Sequence, residues 1–178
     1  MNTETLPRRE REKLRQRDEL LAAALDLFSE KGFHNVSMHE IAQKAEFAVG
    51  TLYRFFKDKE DLYKALIRSR AERFHATLKE VLAQSDGEDV LGVLKKYVEA
   101  KTALLTGGAA MLRLYFAETR GASFNIRAGL DREILELYDD LVAKLAAVFE
   151  AGVRKKVFRP LDPYYMAVAL ESLTNGFL

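Results

Sequence analysis

Apolar residues recur at three- and four-residue spacings along nearly the whole chain, and nowhere does the alternation of a β-strand persist. The pattern predicts an all-α protein. Leu21, Ala24, Leu25 and Phe28 make one stripe on a first helix from about Arg8 to Lys31, with Gly32 past its end as a left-handed C-cap. Ser37-Met38-His39-Glu40 matches a capping box, in which serine and glutamate satisfy each other's backbone N–H groups. The helix it opens is short, Met38 to Ala45, with Met38, Ile41, Ala42 and Ala45 inward. Glu46-Phe47-Ala48 interrupts, and a second short helix from about Val49 to Phe56 turns Leu52, Phe55 and Phe56 to the core. Asp58, with Asp61 three residues on, starts a long helix reaching about Gln84, its buried side marked by Leu62, Leu66, Phe74, Leu78 and Leu82.

Ser85-Asp86-Gly87 breaks the pattern. A helix from about Glu88 to Leu105 follows, with Leu91, Leu94, Val98 and Leu105 inside, and Gly107-Gly108 ends it. Ala109 to Arg120 reads as a further apolar helix. A long one spans roughly Asn125 to Arg154, with Ile126, Leu130, Ile134, Leu137, Leu141, Leu145 and Val148 in register. Asp162-Pro163 opens the last helix, an acidic N-cap followed by proline at the first helical position. Its pattern still runs at Leu178, so the helix is expected to continue or to be truncated there. The expected organisation is an N-terminal part over residues 1–60 and a larger helical part over 61–178.

Composition narrows the classes. Of 178 residues, 48% are hydrophobic and 31% charged, as in an ordered globular protein. Cysteine is absent, which excludes disulfides, thiolate metal sites and a cysteine nucleophile, and fits the reducing cytoplasm where the chain is expected to work. Met1 to Arg17 lacks the apolar stretch of a secretory signal, and no run has the length of a membrane span. The net charge of +1 does not itself point to nucleic acid. Placement says more: Arg8, Arg9, Arg11, Lys13, Arg15 and Arg17 face only Glu10 and Glu12 within their run. Such an excess can attach to phosphates, or it can be a solvated helix start laced with ion pairs.

Enzyme chemistry finds little footing. His34, His39 and His75 have no metal-ligand spacing, and His39-Glu40-Ile41-Ala42 lacks the second histidine of a zinc-protease motif. There is no glycine-rich phosphate loop and no nucleophile elbow. No catalytic residue, metal or cofactor is therefore expected. The sign that would favour an enzyme is a buried, charge-perturbed cluster in the helical core.

Two short helices separated by three residues, behind a longer first helix, describe a helix-turn-helix. The first of the pair braces the second, which lies in the major groove with small and polar residues forward. Gly50 and Thr51 supply that leading edge, and Tyr53, Arg54 and Lys57 supply donors. The stretch IAQKAEFAVGTLYRFFKDKEDLY, with ALDLFSEKGFHNVSMHEIA before it, closely resembles the TetR family of transcriptional regulators. The matched features are an Ile-Ala pair on the bracing helix, Gly-Thr-Leu-Tyr opening the recognition helix, an aromatic pair, and Lys-x-Lys-Glu-x-Leu opening the fourth helix. The likeness covers about Leu20 to Leu66 at residue level, and architecture beyond. Two positions depart from it: many members carry glycine where this chain has Glu46, and serine or threonine where it has Ala48.

The resemblance implies a role for each matched residue. Thr51 and Tyr53 contact phosphate or nearby base edges, and Lys57 and Lys59 hold phosphates at the start of the fourth helix. Val49, Gly50 and Arg54 face the groove, with Arg54 reading guanine through its bidentate fork. Ser37 and His39 approach the DNA backbone. Each has a plainer alternative: Tyr53 as packing, the lysines as solvated charges, His39 as an exposed helix-start residue, Ser37 as a cap.

For the remainder, the resemblance implies a helical effector domain with an internal, mostly apolar pocket for a small molecule. Phe74, Leu78, Tyr97, Met111, Tyr115, Phe116 and Phe124 are its candidate lining, with Arg113 and Glu118 supplying polarity; the alternative for the aromatics is ordinary core. The last two helices resemble the pair that forms a four-helix homodimer interface. Partners are thus a palindromic double-stranded operator, a second copy, and a small, largely apolar effector that releases a repressor from DNA. The rival from another class is an all-α binding or scaffold protein that kept the fold and lost DNA binding.

Overall fold

The computed structural model describes the backbone over residues 6–83, 89–107 and 124–176, and side chains over 6–83, 89–104 and 132–174. Among the described residues every regular element is helical. They are α1 (Arg8–Lys31), a 3-10 turn (Phe33–Asn35), α2 (Met38–Lys44), α3 (Val49–Phe55), α4 (Lys59–Ala83), α5 (Val90–Gly107), α6 (Phe124–Arg154) and α7 (Pro163–Gly176). The expected helix at Ala109–Arg120 lies outside the described residues. The chain divides into two compact units, one built on the segment up to Ile67, the other on Arg68–Gly108 and Ala128–Leu178.

In the first unit, Leu20, Ala24 and Phe28 of α1 are fully buried, as are Ile41, Leu52, Leu62 and Leu66 from the helices packed around it. Each such side chain contributes about 1.5–3 kcal/mol by leaving water. The rings of Phe28, Phe33 and Tyr63 meet at centroid distances of 5.2–5.7 Å and fasten the end of α1 and the 3-10 turn to α4. Gly32 has φ 78° as required of a glycine stop, but its ψ of 155° is extended rather than left-handed helical. The chain therefore leaves α1 straight into the 3-10 turn, with the Gly32 N–H donating to Phe28 O at 2.9 Å.

The caps explain the short helices. Ser37 Oγ accepts from Glu40 N at 3.2 Å, and Glu40 Oε2 accepts from Ser37 N at 2.8 Å, closing the capping box. The Lys31 ammonium, 2.9 Å from Glu40, together with the Ser37 N–H and hydroxyl, holds the Glu40 carboxyl at about 2, well below its ordinary range. Asp58 Oδ1 accepts from Asp61 N at 2.8 Å, whereas Asp61 Oδ2 takes the N–H of Lys57, one residue further back than a capping box places it. Glu46 has φ 58°, a conformation that glycine adopts freely and other residues adopt at a cost of about 1–2 kcal/mol. Ala48, the N-cap of α3, gives no side-chain cap bond.

The second unit packs Leu78 and Leu82 of α4, Tyr97 of α5, Leu141, Leu145 and Phe149 of α6 and Ala167 of α7 into one core. Here one sequence expectation fails. Leu91 was assigned to the inside of α5, yet it is 58% exposed, while its neighbour Val90 is buried. The inward face centres on Val90, Val93, Tyr97 and Lys101, with Leu94 and Val98 half-buried against the same core as expected. The buried Lys101 explains the slip at Leu91, because a lysine on that face hides its centre from an apolar count. Helix α5 is described as far as Gly107, the first residue of the glycine pair expected to end it.

Candidate nucleic-acid interface

Helix α2 packs on α1 and on α3. Leu52 is the buried side of α3, which turns Gly50, Tyr53 and Arg54 outward; Val49 and Thr51 are half-buried, and Lys57, two residues past the end of α3, is exposed. A Cβ built on Gly50 would meet nothing within 4 Å, so the protein's own packing does not demand glycine there. Tyr53 is 53% exposed, well beyond an ordinary packing tyrosine. Phe56 is buried as expected, while Phe55 is only half-buried.

Ser37, His39, Tyr53 and Lys59, scattered over 23 positions, line one shallow groove together with His34 and Asn35. The last two were not singled out from sequence: a three-residue 3-10 turn has no periodicity to reveal which way its side chains face. Asn35 Nδ2 caps the end of α1 by donating to Lys31 O at 2.9 Å. The Ser37 hydroxyl is closed into its capping box, donating to Glu40 Oε2 at 2.9 Å. His39 is exposed in the first turn of α2.

Lys59, for which the resemblance implies a phosphate, is engaged with the protein's own backbone. Its ammonium donates to Phe33 O at 2.7 Å, Val36 O at 2.8 Å and, more weakly, His34 O at 3.4 Å. It also sits 4.5 Å from the centroid of the Phe33 ring. Lys57, by contrast, has an exposed side chain. In the basic run, Arg15 bridges Glu12 and Glu19 at 2.6 Å each, so part of the run is the ion-paired helix start described above. The Arg17 guanidinium lies 5.7 Å from the Phe56 ring centroid, whereas Arg8, Arg9 and Lys13 are exposed.

In the second unit, Leu78 and Tyr97 are fully buried and Phe74 is half-buried against the same core. Met111, Tyr115 and Phe116, with Arg113 and Glu118, lie outside the described residues, as does the side chain of Phe124. A groove of about 550 Å3, mainly apolar, opens between Leu82, Val90, Val93 and Val148, flanked by Lys79 and Lys144.

The core also holds the kind of polar cluster that was named as the mark of an enzyme. Lys101 and Glu171 are 2–3% exposed and 2.9 Å apart. Tyr97 donates to Glu171 Oε1 at 2.5 Å, and Lys101 donates to Thr174 Oγ1 at 2.8 Å. Burial, reinforced by Glu171, pushes the Tyr97 hydroxyl far up. His75 is 7% exposed, its Nδ1 has no hydrogen-bond partner, and burial lowers its basicity, with Lys79 adding to the effect. These groups answer one another's charge: the carboxylate is held by a lysine and a tyrosine that keeps its proton. Among the described residues no three potential ligand side chains converge on a metal position, and no helix is long and apolar enough to cross a membrane.

A short helix braced by another, its free face carrying small and cationic residues, makes the first unit a helix-turn-helix DNA-binding domain. Comparison with known proteins agrees. The family described as bacterial regulatory proteins, tetR family, matches residues 20–66. The HTH-type transcriptional regulator RutR of Escherichia coli K12 is 27% identical over 158 residues, 89% of this chain and 71% of that one. A TetR-family regulator structure from Mesorhizobium loti superposes with a TM-score of 0.70 at 26% identity, covering 88% of this chain and 77% of the other. FadR of Bacillus subtilis, solved with stearoyl-CoA, shares the fold with a TM-score of 0.69 at 22% identity, over 89% and 82% of the two chains. Residues 20–66 thus match the DNA-binding region of the TetR family of transcriptional regulators, and the chain as a whole is similar to regulators of that family. These relatives are described as transcriptional regulators, and the buried cluster lies in the core of the second unit.

Proposed function

We propose that this protein is a homodimeric repressor that holds a palindromic operator and is released from it by a small, largely apolar effector. The observation that carries the DNA half of this reading is the outward face of α3, where Gly50, Tyr53 and Arg54 are exposed opposite a buried Leu52, with Lys57 exposed just past its end. Gly50 lets a DNA backbone approach the start of the helix, with Val49 and Thr51 beside it. Arg54 reads a guanine, Tyr53 and Lys57 hold phosphates, and Ser37 and His39 approach the strand from the start of α2.

The dimer reading rests on Leu135 of α6 and Tyr164, Tyr165 and Leu173 of α7, all more than half exposed. Two copies burying these faces would place two reading helices on one duplex. The division of labour follows: residues 1–60 bind DNA, and 61–178 bind the effector and the second copy. Among the described residues, Phe74, Leu78 and Tyr97 are the candidates for the effector site. An effector that binds one arrangement of the dimer better than the other shifts the population that fits the operator.

The test is selection of bound sequences from a random duplex pool, repeated at several salt concentrations. Recovery of an inverted repeat, with affinity falling steeply as salt rises, supports the reading. Absence of enrichment at low salt overturns it in favour of a fold that has lost DNA binding. The selected site then serves to screen apolar carboxylates, acyl thioesters and neutral aromatics for release.

A further inference from the structure

We propose that Lys59 is a positioning residue of the DNA-binding surface: its caged ammonium holds the Phe33–Val36 turn, and through it Ser37 and His39, against the start of α4. An ammonium has three N–H donors, and here they converge on the carbonyls of Phe33, His34 and Val36. The short 3-10 turn cannot satisfy these acceptors itself, and carbonyls at such an end carry partial negative charge. The Phe33 ring closes one side of the cage at 4.5 Å, itself held by Phe28 and Tyr63. A phosphate contact would require the ammonium to leave all of these partners.

The consequence is positional. Val36 is buried, and the next residues are Ser37, which caps α2, and His39 in its first turn. Lys59 opens α4, the helix that runs on to Ala83. The cage therefore makes the start of α4 and the start of α2 move as one piece, and it sets the groove that Ser37, His39 and Tyr53 share. Arginine cannot replace it: a planar fork does not fit three carbonyls gathered around a point charge. At a phosphate, arginine would serve as well as lysine.

This rests on the DNA-binding reading, and the experiment separates the two. Wild type, Lys57→Ala, Lys59→Met and Lys59→Arg are titrated with the selected operator across salt concentrations, at a temperature where circular dichroism shows each folded. Lys57→Ala calibrates a lost phosphate contact, lowering the salt slope by about 0.9. Lys59→Met is expected to weaken binding about tenfold, the size of one well-made contact, with the wild-type slope, and Lys59→Arg to fail to restore it. A slope lowered as in Lys57→Ala, full rescue by arginine, or unchanged affinity overturns the proposal. If the variants do not fold, the wild-type Lys59 ammonium protons decide. Resonances protected from exchange in the free protein support the cage, and their appearance only in the DNA complex overturns it. Failure of wild type to bind any duplex would overturn the regulator reading alone, since the ammonium resonance still tests the cage without DNA.

Discussion

The polar bonds that shape the first unit mostly join near neighbours at the surface: Ser37 with Glu40, Lys57 with Asp61, Asp58 with Asp61. The second unit adds polar bonds that reach across the sequence and are buried: Lys101 and Tyr97 of α5 meet Glu171 of α7 at separations of 70 and 74 residues. Near-neighbour caps fix where helices begin and cost little when removed. A buried ion pair is asymmetric, weak evidence for stability when intact and severe when halved. The two units should therefore respond very differently to single substitutions.

The largest effect is expected at Glu171. Glu171→Leu leaves the Lys101 ammonium buried without a counter-charge and should cost about 3–5 kcal/mol in urea unfolding. The double variant Lys101→Met with Glu171→Leu should recover most of that loss. A single variant as stable as wild type would show that the core relaxes to admit water and would erase the contrast between the units.

Close packing gives the next effect. A Cβ on Gly152 would come within 2.4 Å of the Phe158 ring, where the chain turns back after α6. Gly152→Ala should cost about 1–3 kcal/mol of overpacking, and the pair Gly152→Ala with Phe158→Leu less, measured by thermal unfolding.

Histidine 75 supplies the pH dependence. Burial, then Lys79 and Lys101, lower its basicity, against Glu171 and Asp140, which raise it. The unfolded chain therefore binds a proton more readily than the folded one. The stability this group contributes is complete above its ordinary value of 6.5 and is lost as pH falls below it toward the lowered folded value. His75→Gln should flatten the stability–pH curve in that window. An unchanged curve would assign the acid sensitivity to other groups.

The smallest effects belong to the first unit. Ala48→Ser should supply the missing cap of α3 and add up to about 1 kcal/mol. Glu46→Gly relieves the φ of 58° but gains freedom in the unfolded chain, so its net gain should stay below about 1 kcal/mol. Loss of stability in either, seen in thermal melts, would mean that the turn is held by contacts beyond its backbone.

The same contrast explains what was legible in the sequence. Helix α1 ends at Lys31, the capping box opens at Ser37, and Asp162-Pro163 starts α7, all as local signals imply. The outward set Gly50, Tyr53 and Arg54 follows from helical spacing around a buried Leu52. The exposure of Leu91 in α5 did not follow, because the centre of the inward face carries Lys101, whose partner lies on another helix. The bonds of Lys59 did not follow for the same reason: its acceptors are backbone carbonyls 23 to 26 residues away, and no side-chain pattern encodes them. Local chemistry is written beside itself in the chain, whereas long-range polar contacts are not.

The central claim is that the free face of α3 reads DNA. Its most direct test is the affinity of wild type and Arg54→Ala for the selected operator and for a set with each base pair replaced in turn. The account predicts that Arg54→Ala loses discrimination at one base pair of each half-site, by about 1–3 kcal/mol, and keeps it elsewhere. Full retention of the wild-type sequence preference by Arg54→Ala would contradict it.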